Sequence, residues 1–315
     1  AAVLFEAEDG HRPAVLRAGL GANHSVAITE GGALWTWGWG GSFWSGAGAL
    51  GLGSSDSRRR PVLVRRFVEL AEEVQQVACG AQHTIVLTDT GRLYSTGRGE
   101  FGRLGRGKTE DELEFEEIEY FDSSNDSVLN PADVTTIIKI DAGNNFSGAM
   151  SSTGELWVWG KNDYGQLGGG LESVVSPSAA ARYPRMIRSL PLEGHRVVDF
   201  ACGEHHVVAL TSAGAIYEWG NRQYLEPQPV SLPSRYEAGL KNLCRVFAGD
   251  RVSFALTTDG RLYSWGRRES GCLAQGPEAP EQLKEPTLVA PETFDGKRVV
   301  DLAAGVGRCL AVTAE

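Results

Sequence analysis

The chain is poor in the features that mark most enzyme and membrane classes. No stretch approaches the ~18 consecutive apolar residues of a membrane-spanning helix, and no apolar leader follows Ala1. The five cysteines are odd in number and form no Cys-x-x-Cys pair, which argues against a disulfide framework or a zinc module. Positive charge is in deficit. Thirty Lys and Arg against forty Asp and Glu leave a net charge of −10, so the phosphate-neutralising surface that nucleic-acid binding requires is not expected. Short basic clusters (Arg58-Arg59-Arg60 with Arg65 and Arg66, and Arg182, Arg185 and Arg188) sit among acidic residues. No stretch of useful length carries apolar residues at helical period, which sets aside arrays of paired helices.

What the chain has in excess is glycine, 40 residues of 315, and much of it falls at regular intervals. A Gly-x-x-His-Ser/Thr segment followed by apolar residues and a threonine, or a close variant of it, recurs six times. It starts at Gly21, Gly80, Gly143, Gly203, Gly249 and Gly305, which are 59, 63, 60, 46 and 56 residues apart. Periods of this size denote an array of supersecondary units. Each unit begins with a short apolar run such as Val74–Cys79 or Val197–Cys202, and the Gly-x-x-His turn leads into a second strand. A tight turn with glycine (Asp89-Thr90-Gly91, Ser152-Thr153-Gly154, Asp259-Gly260) then gives a third strand reading Leu-Tyr/Trp-x-Trp-Gly. After a Gly-rich loop comes a fourth strand with proline, as at Pro61, Pro184, Pro227 and Pro286. Proline suits an edge strand, which has one side free of ladder bonds. The expected fold class is all-β, a β-propeller with six recognisable repeats of four-stranded blades.

These same residues carry a family resemblance. Ala-Cys-Gly-x-x-His-Ser/Thr, Asp-Gly-x-Leu-Tyr-Ser-Trp-Gly and Tyr164-Gly165-Gln166-Leu167-Gly168 resemble the regulator of chromosome condensation 1 (RCC1) family, over nearly all 315 residues. The resemblance implies an RCC1-like propeller that usually has seven blades. Leu4–Arg12 aligns with Leu288–Arg298, so the chain opens at a fourth strand and stops after a second one. A seventh blade or closing strand is therefore expected outside this sequence, most simply in a missing N-terminal segment. Residues 1–315 are read as a single propeller domain. Cys79 and Cys202, at equivalent repeat positions, read as reduced structural thiols of a cytosolic, nuclear or mitochondrial-matrix protein.

Three features invite chemistry. Gly102–Thr109 matches the phosphate-loop pattern G-x-x-x-x-G-K-[ST] literally. The repeat explains its glycines, however, and the carboxylates from Glu110 to Asp122 would repel a nucleotide, so Lys108 and Thr109 are expected to bind none. Gly46–Gly51 and Gly97–Gly102 match G-x-G-x-x-G for the same trivial reason, with no βαβ unit around them. The repeat histidines His24, His83 and His206 lie on different blades, too far apart to share an ion, and are expected to bond neighbouring backbone. No catalytic, metal-ligating or cofactor-binding residue is assigned.

Two stretches exceed what the fold requires. The loop from Gly38 to Leu50 is five residues longer than its counterpart from Gly160 to Leu167, and it carries Trp39, Phe43 and Trp44. Apolar aromatics in an enlarged loop are typical anchors for a protein partner. In the acidic stretch, Glu112, Glu114 and Glu116 are expected on one face of an outer strand, with Leu113 and Phe115 on the other. Such a strip either blocks strand addition at an exposed edge or docks a basic partner. The leading expectation is a non-enzymatic scaffold or adaptor, a subunit or assembly factor of a larger complex. Guanine-nucleotide exchange on a Ran-like small GTPase, which the resemblance implies for the founding family member, is the alternative. Assembly of a mitochondrial complex or ribosome is a third reading.

Overall fold

The computed structural model describes residues 5, 12–42, 46–121, 136–175, 180–188, 190, 195–233, 242–268, 272–276, 278–305 and 307–314. Their chain divides into two compact units. The first contains three four-stranded antiparallel sheets; the second contains two more and a two-stranded sheet.

Every four-stranded sheet repeats one plan. In the third, Ile137–Ala142 pairs with Phe146–Ser151, which pairs with Leu156–Gly160, which pairs with Ala181–Met186. The five Leu-Tyr/Trp-x-Trp/Thr-Gly segments are all third strands, as expected. The four proline-bearing strands all lie at an outer edge. Second strands are the buried heart of each sheet; His83–Thr88, Phe146–Ser151, His206–Thr211 and Val252–Thr257 are buried along their whole length. These strands carry apolar residues on both faces, together with a few buried His, Ser and Thr side chains.

Trp159, Trp219 and Trp265 are among the largest fully buried side chains. In the first unit, Ile85, Leu87 and Leu93 of the second sheet pack with Ile137, Trp157 and Trp159 of the third. In the second unit, Val208 and Ile216 of the fourth sheet pack with Tyr263 and Trp265 of the fifth. Gly97, Gly160 and Gly220 end third strands at φ of 108°, 110° and 105°. At Gly160 a Cβ would lie 2.7 Å from the carbonyl oxygen of Asn145. This position therefore excludes side chains twice over, by conformation and by space.

Candidate protein-interaction surface

Antiparallel order sends the first-to-second turn and the third-to-fourth loop of each sheet out of the same end. The repeat histidines stand just inside that end. His24 Nε2 lies 2.9 Å from Thr84 Oγ1, His83 Nε2 2.9 Å from Ser147 Oγ, and His206 Nε2 2.9 Å from Ser253 Oγ. Each imidazole thus reaches a hydroxyl of the following blade, one residue past the repeat position. The sequence predicts a bond to neighbouring backbone; the Nε2 partner is instead a side-chain hydroxyl a full repeat away, to which His83 adds a backbone hydrogen bond at Phe146. The hydroxyl of Ser147 donates to the Arg103 carbonyl at 2.9 Å, and that of Ser253 donates to Glu218 Oε1 at 2.8 Å. With its one proton so committed, the serine accepts, and the histidine Nε2 must carry the hydrogen. Burial lowers the pKa of His24 to about 4 and pulls those of His83 and His206 down as well, so all three are neutral couplers at physiological pH.

The same loop carbonyls take the tryptophans. Trp159 Nε1 donates to Arg103 O at 3.0 Å, and Trp219 Nε1 to Gln166 O at 2.9 Å. The fourth blade has no such loop, since only Asn221, Arg222 and Gln223 separate Gly220 from the outer strand Tyr224–Pro229. The Glu218 carboxylate takes over there. It receives Ser253 Oγ at 2.8 Å and Trp265 Nε1 at 3.0 Å, with His206 Nε2 at 3.6 Å. Ser253, His206 and Glu218 thus meet as a serine–histidine–carboxylate group, but the serine donates to the carboxylate and is 1% exposed. The arrangement holds two blades together and offers no activated nucleophile.

In the first unit the two sequence-singled stretches form one patch. The enlarged loop folds into a small ribbon, Gly41–Ser42 against Gly46–Ala47. Trp39 is half-buried beside it, its backbone N–H held by Asn23 O at 2.8 Å. Phe43 and Trp44 lie outside the described residues. The far limb of the loop runs across the acidic strand Glu112–Glu117 of the second blade. Ala47 N donates to Asp111 Oδ2 at 2.9 Å and Gly53 N to Leu113 O at 2.9 Å, and Leu52 bridges Glu114.

The acidic strand is an outer edge, as expected, but its alternation is broken. Between the pairs Glu112–Gly97 and Glu116–Ser95, the outer strand advances four residues against two on its neighbour. The bulge buries Phe115 completely and turns Leu113 out, 39% exposed, where the sequence pattern had placed both against the blade. Glu112 is paired with Arg106 and Glu116 with Arg66 at 3.8 Å. Glu114 stays exposed above Gly53.

Gly102–Thr109 lies at the same end. Gly102, Gly105 and Gly107 have φ of 74–76°, and a Cβ at Gly105 would meet Trp159 Nε1 at 2.7 Å. The next element along the chain is the strand from Glu112, not a helix whose N-terminus could face a phosphate. Titration with ATP or GTP should give no saturable signal, and Lys108→Ala should behave as wild type. Saturable binding abolished by Lys108→Ala would contradict this.

The second unit carries a polar cluster that the repeat pattern alone did not single out. The Tyr164 and His205 rings stack at 4.0 Å with 3° between planes, and the Arg222 guanidinium lies 4.6 Å from the Tyr164 centroid. Asn221 and Arg222 both adopt left-handed backbone, φ 54° and 58°, a conformation non-glycine residues adopt at a cost. Beside the stack, Glu204 and Asp250 share a hydrogen bond, and His205 Nε2 lies 3.6 Å from Glu204 Oε1. The signal was available by aligning the turns: Ala22-Asn23, Ala81-Gln82 and Asn144-Asn145 are uncharged, whereas Glu204-His205 and Asp250-Arg251 are titratable.

Burial, then the bond to Glu204 and its charge, raise the Asp250 pKa from 3.8 to about 6. The folded state therefore holds the proton more tightly than the unfolded chain. Stability from this group is present at acid pH and falls as pH rises from 3.8 through about 6. Melting of wild type and Asp250→Asn across this range should show wild type losing ground to the variant with rising pH. A difference that moves the other way would contradict the assignment.

The comparisons with known proteins agree with this architecture. The RCC1-like domain model matches residues 3–311. The chain is 35% identical to the human E3 ubiquitin-protein ligase HERC2 over 251 residues, 76% of this chain and 5% of that protein. It is 33% identical to the ultraviolet-B receptor UVR8 of Arabidopsis thaliana over 200 residues, 64% of this chain and 40% of that protein. It therefore spans well under two thirds of either relative. Among solved structures, human WBSCR16 superposes with a TM-score of 0.76 at 23% identity, covering 96% of this chain and 72% of that one. Prp20p of Saccharomyces cerevisiae gives 0.74 at 21%, covering 95% and 68%. With repeats, blade plan and family model in accord, the chain belongs to the RCC1-like domain family and is an RCC1-like β-propeller.

Proposed function

We propose that this chain is a non-enzymatic protein-docking module, a scaffold or adaptor that serves a larger complex through loops at one end of its blades. The carrying observation is the union of the enlarged aromatic loop of the first blade with the acidic outer strand of the second. Departures from a repeat are where function tends to be grafted, and here two of them meet. Trp39, Phe43 and Trp44 are the proposed anchors; Leu113 and Glu114, and the paired Glu112 and Glu116, form the flank. A loop that carries aromatic residues and contacts an acidic strand suits a partner that brings apolar and basic side chains together. The test is affinity capture followed by titration of the recovered partner. A Phe43→Ala, Trp44→Ala double variant should lose about thirtyfold in affinity, ~2 kcal/mol for a central anchor, and melt like wild type. A variant that melts early yet keeps its partner would make the rings packing elements.

A second reading, guanine-nucleotide exchange, draws on one relative. Prp20p has been examined for its binding to Gsp1p and histones, and the first-to-second turns of the fourth and fifth blades carry the charged residues Glu204 and Asp250. Accelerated release of labelled GDP from a Ran-like GTPase would favour exchange; unchanged release favours docking alone. The compartment follows the partner. One relative, RUG3 of Arabidopsis thaliana, is mitochondrial and 33% identical over 211 residues. Among the described residues no helix is long and apolar enough to cross a membrane.

A further inference from the structure

One inter-blade bond recurs in the first unit and reappears, chemically altered, in the second. Thr84 and Ser147 each follow a repeat position, and each donates to a loop carbonyl of the preceding blade, Ala49 O and Arg103 O, both at 2.9 Å. Ala49 and Arg103 stand immediately before Leu50 and Leu104. Those leucine carbonyls are themselves fixed by third-strand hydroxyls, from Thr36 and Ser95, both at 2.8 Å. In the fifth blade Ser264 Oγ holds Leu273 O in the same way at 2.7 Å, which makes Leu273 the corresponding leucine and Cys272 the residue before it. In the terminal sheet, Val299–Gly305 with Arg308–Thr313, the residue that follows the repeat position is Cys309.

The repeat thus aims Cys309 at Cys272, and the two thiols are hydrogen-bonded to each other. Both belong to one apolar cluster with Val252, Leu273, Val289 and Leu302. Cys272 is buried and Cys309 half-buried. Where other blades meet through a hydroxyl and a backbone carbonyl, this pair of blades also brings two thiols together.

We propose that Cys272 and Cys309 are a redox-responsive pair that closes to an inter-blade disulfide when the protein meets a peroxide. The Cys309 thiolate attacks a peroxide oxygen, the O–O bond breaks, and one water leaves once protonated. Cys309 is then a sulfenic acid. The Cys272 sulfur attacks the Cys309 sulfur, the S–O bond breaks, and a second water leaves with the remaining proton. Two thiols and one hydrogen peroxide become one disulfide and two waters. The new bond ties the terminal two-stranded sheet to the loop of the fifth blade. Burial, with Cys272 adding to it, pushes the Cys309 pKa up to about 12. At neutral pH the pair is therefore held in reserve, and it closes faster as pH rises toward that value.

The experiment treats the full chain with hydrogen peroxide at pH 7 and pH 9, blocks free thiols, and maps tryptic peptides without reduction. The expected product is a dithiothreitol-sensitive link between the peptides holding Cys272 and Cys309, formed roughly a hundredfold faster at pH 9. The oxidised chain should melt ~5–10 °C higher, as expected for a bond that closes a loop of some tens of residues. Cys244→Ser should form the same link and Cys309→Ser should not. Cys244 lies in the same cluster, with its thiol donating to Leu256 O at 3.4 Å, so the wild-type map also discriminates. A link through Cys244, Cys309 recovered as a sulfinic acid beside a free Cys272, or free thiols at both pH values would each overturn the proposal.

Discussion

Trp159→Ala should lower stability by about 3–5 kcal/mol, the range for truncating a core aromatic. Trp159 is 0% exposed and packs among Leu87, Leu93 and Ile137 of two adjoining sheets. Its indole also donates to the Arg103 carbonyl, against a loop glycine whose missing Cβ makes room for the ring. The variant therefore loses apolar burial, leaves a cavity and frees a hydrogen bond across a blade boundary. Urea unfolding should show a lowered midpoint, and thermal melting a shift of ~10 °C. Trp39→Ala, at a half-buried loop position, should move either measure little. Equal melting of Trp159→Ala and wild type would mean that blade boundaries do not carry the stability of the fold.

The second large effect is expected at Glu218. Its carboxylate replaces a whole loop as the acceptor for Ser253 and Trp265, with the His206 imidazole close by. Alanine there removes the acceptor from buried donors. At ~1–3 kcal/mol for each donor left without a partner, the loss should reach about 2–4 kcal/mol after relaxation and water entry. Glu218→Gln keeps one acceptor oxygen but brings an amide that must itself be paired, so it should fall between wild type and alanine. Denaturant titration of the three proteins checks the order. Wild-type stability in Glu218→Ala would mean that water serves those donors as well as the carboxylate does.

Much of this fold is written in local pattern. Turn glycines, the Leu-Tyr/Trp-x-Trp-Gly strands and the edge prolines each depend on a few adjacent residues, so Pro61, Pro184, Pro227 and Pro286 could be placed at sheet edges unaided. The hidden part depends on residues far apart or on a break in register. The partner of His24 lies sixty residues on, and nothing near His24 indicates a hydroxyl rather than a backbone group. Leu113 is placed inward by strict alternation, which a bulge cancels. Glu218 reads as an ordinary polar residue until the missing loop of its blade is noticed. The enlarged loop and the acidic strand are both visible in the sequence, but their contact is not, since Ala47 and Asp111 are 64 residues apart.

The histidine-to-hydroxyl bonds run in one direction along the chain, and that gives the repeats a syntax. Each histidine blade presents an N–H forward and needs a successor that can accept it. His24 and His83 are followed by Thr84 and Ser147, and His206 by Ser253. After Phe146, which offers no proton, the next repeat has Val207 in that place, and after Val252 it has Cys309. Excising the second repeat would join His24 to Ser147 and keep the grammar. Excising the third would set His83 before Val207 and strand an N–H against a methyl group. Joints that keep a histidine before a hydroxyl thus cost a shortened or lengthened chain least, and they can be read from two residues per repeat.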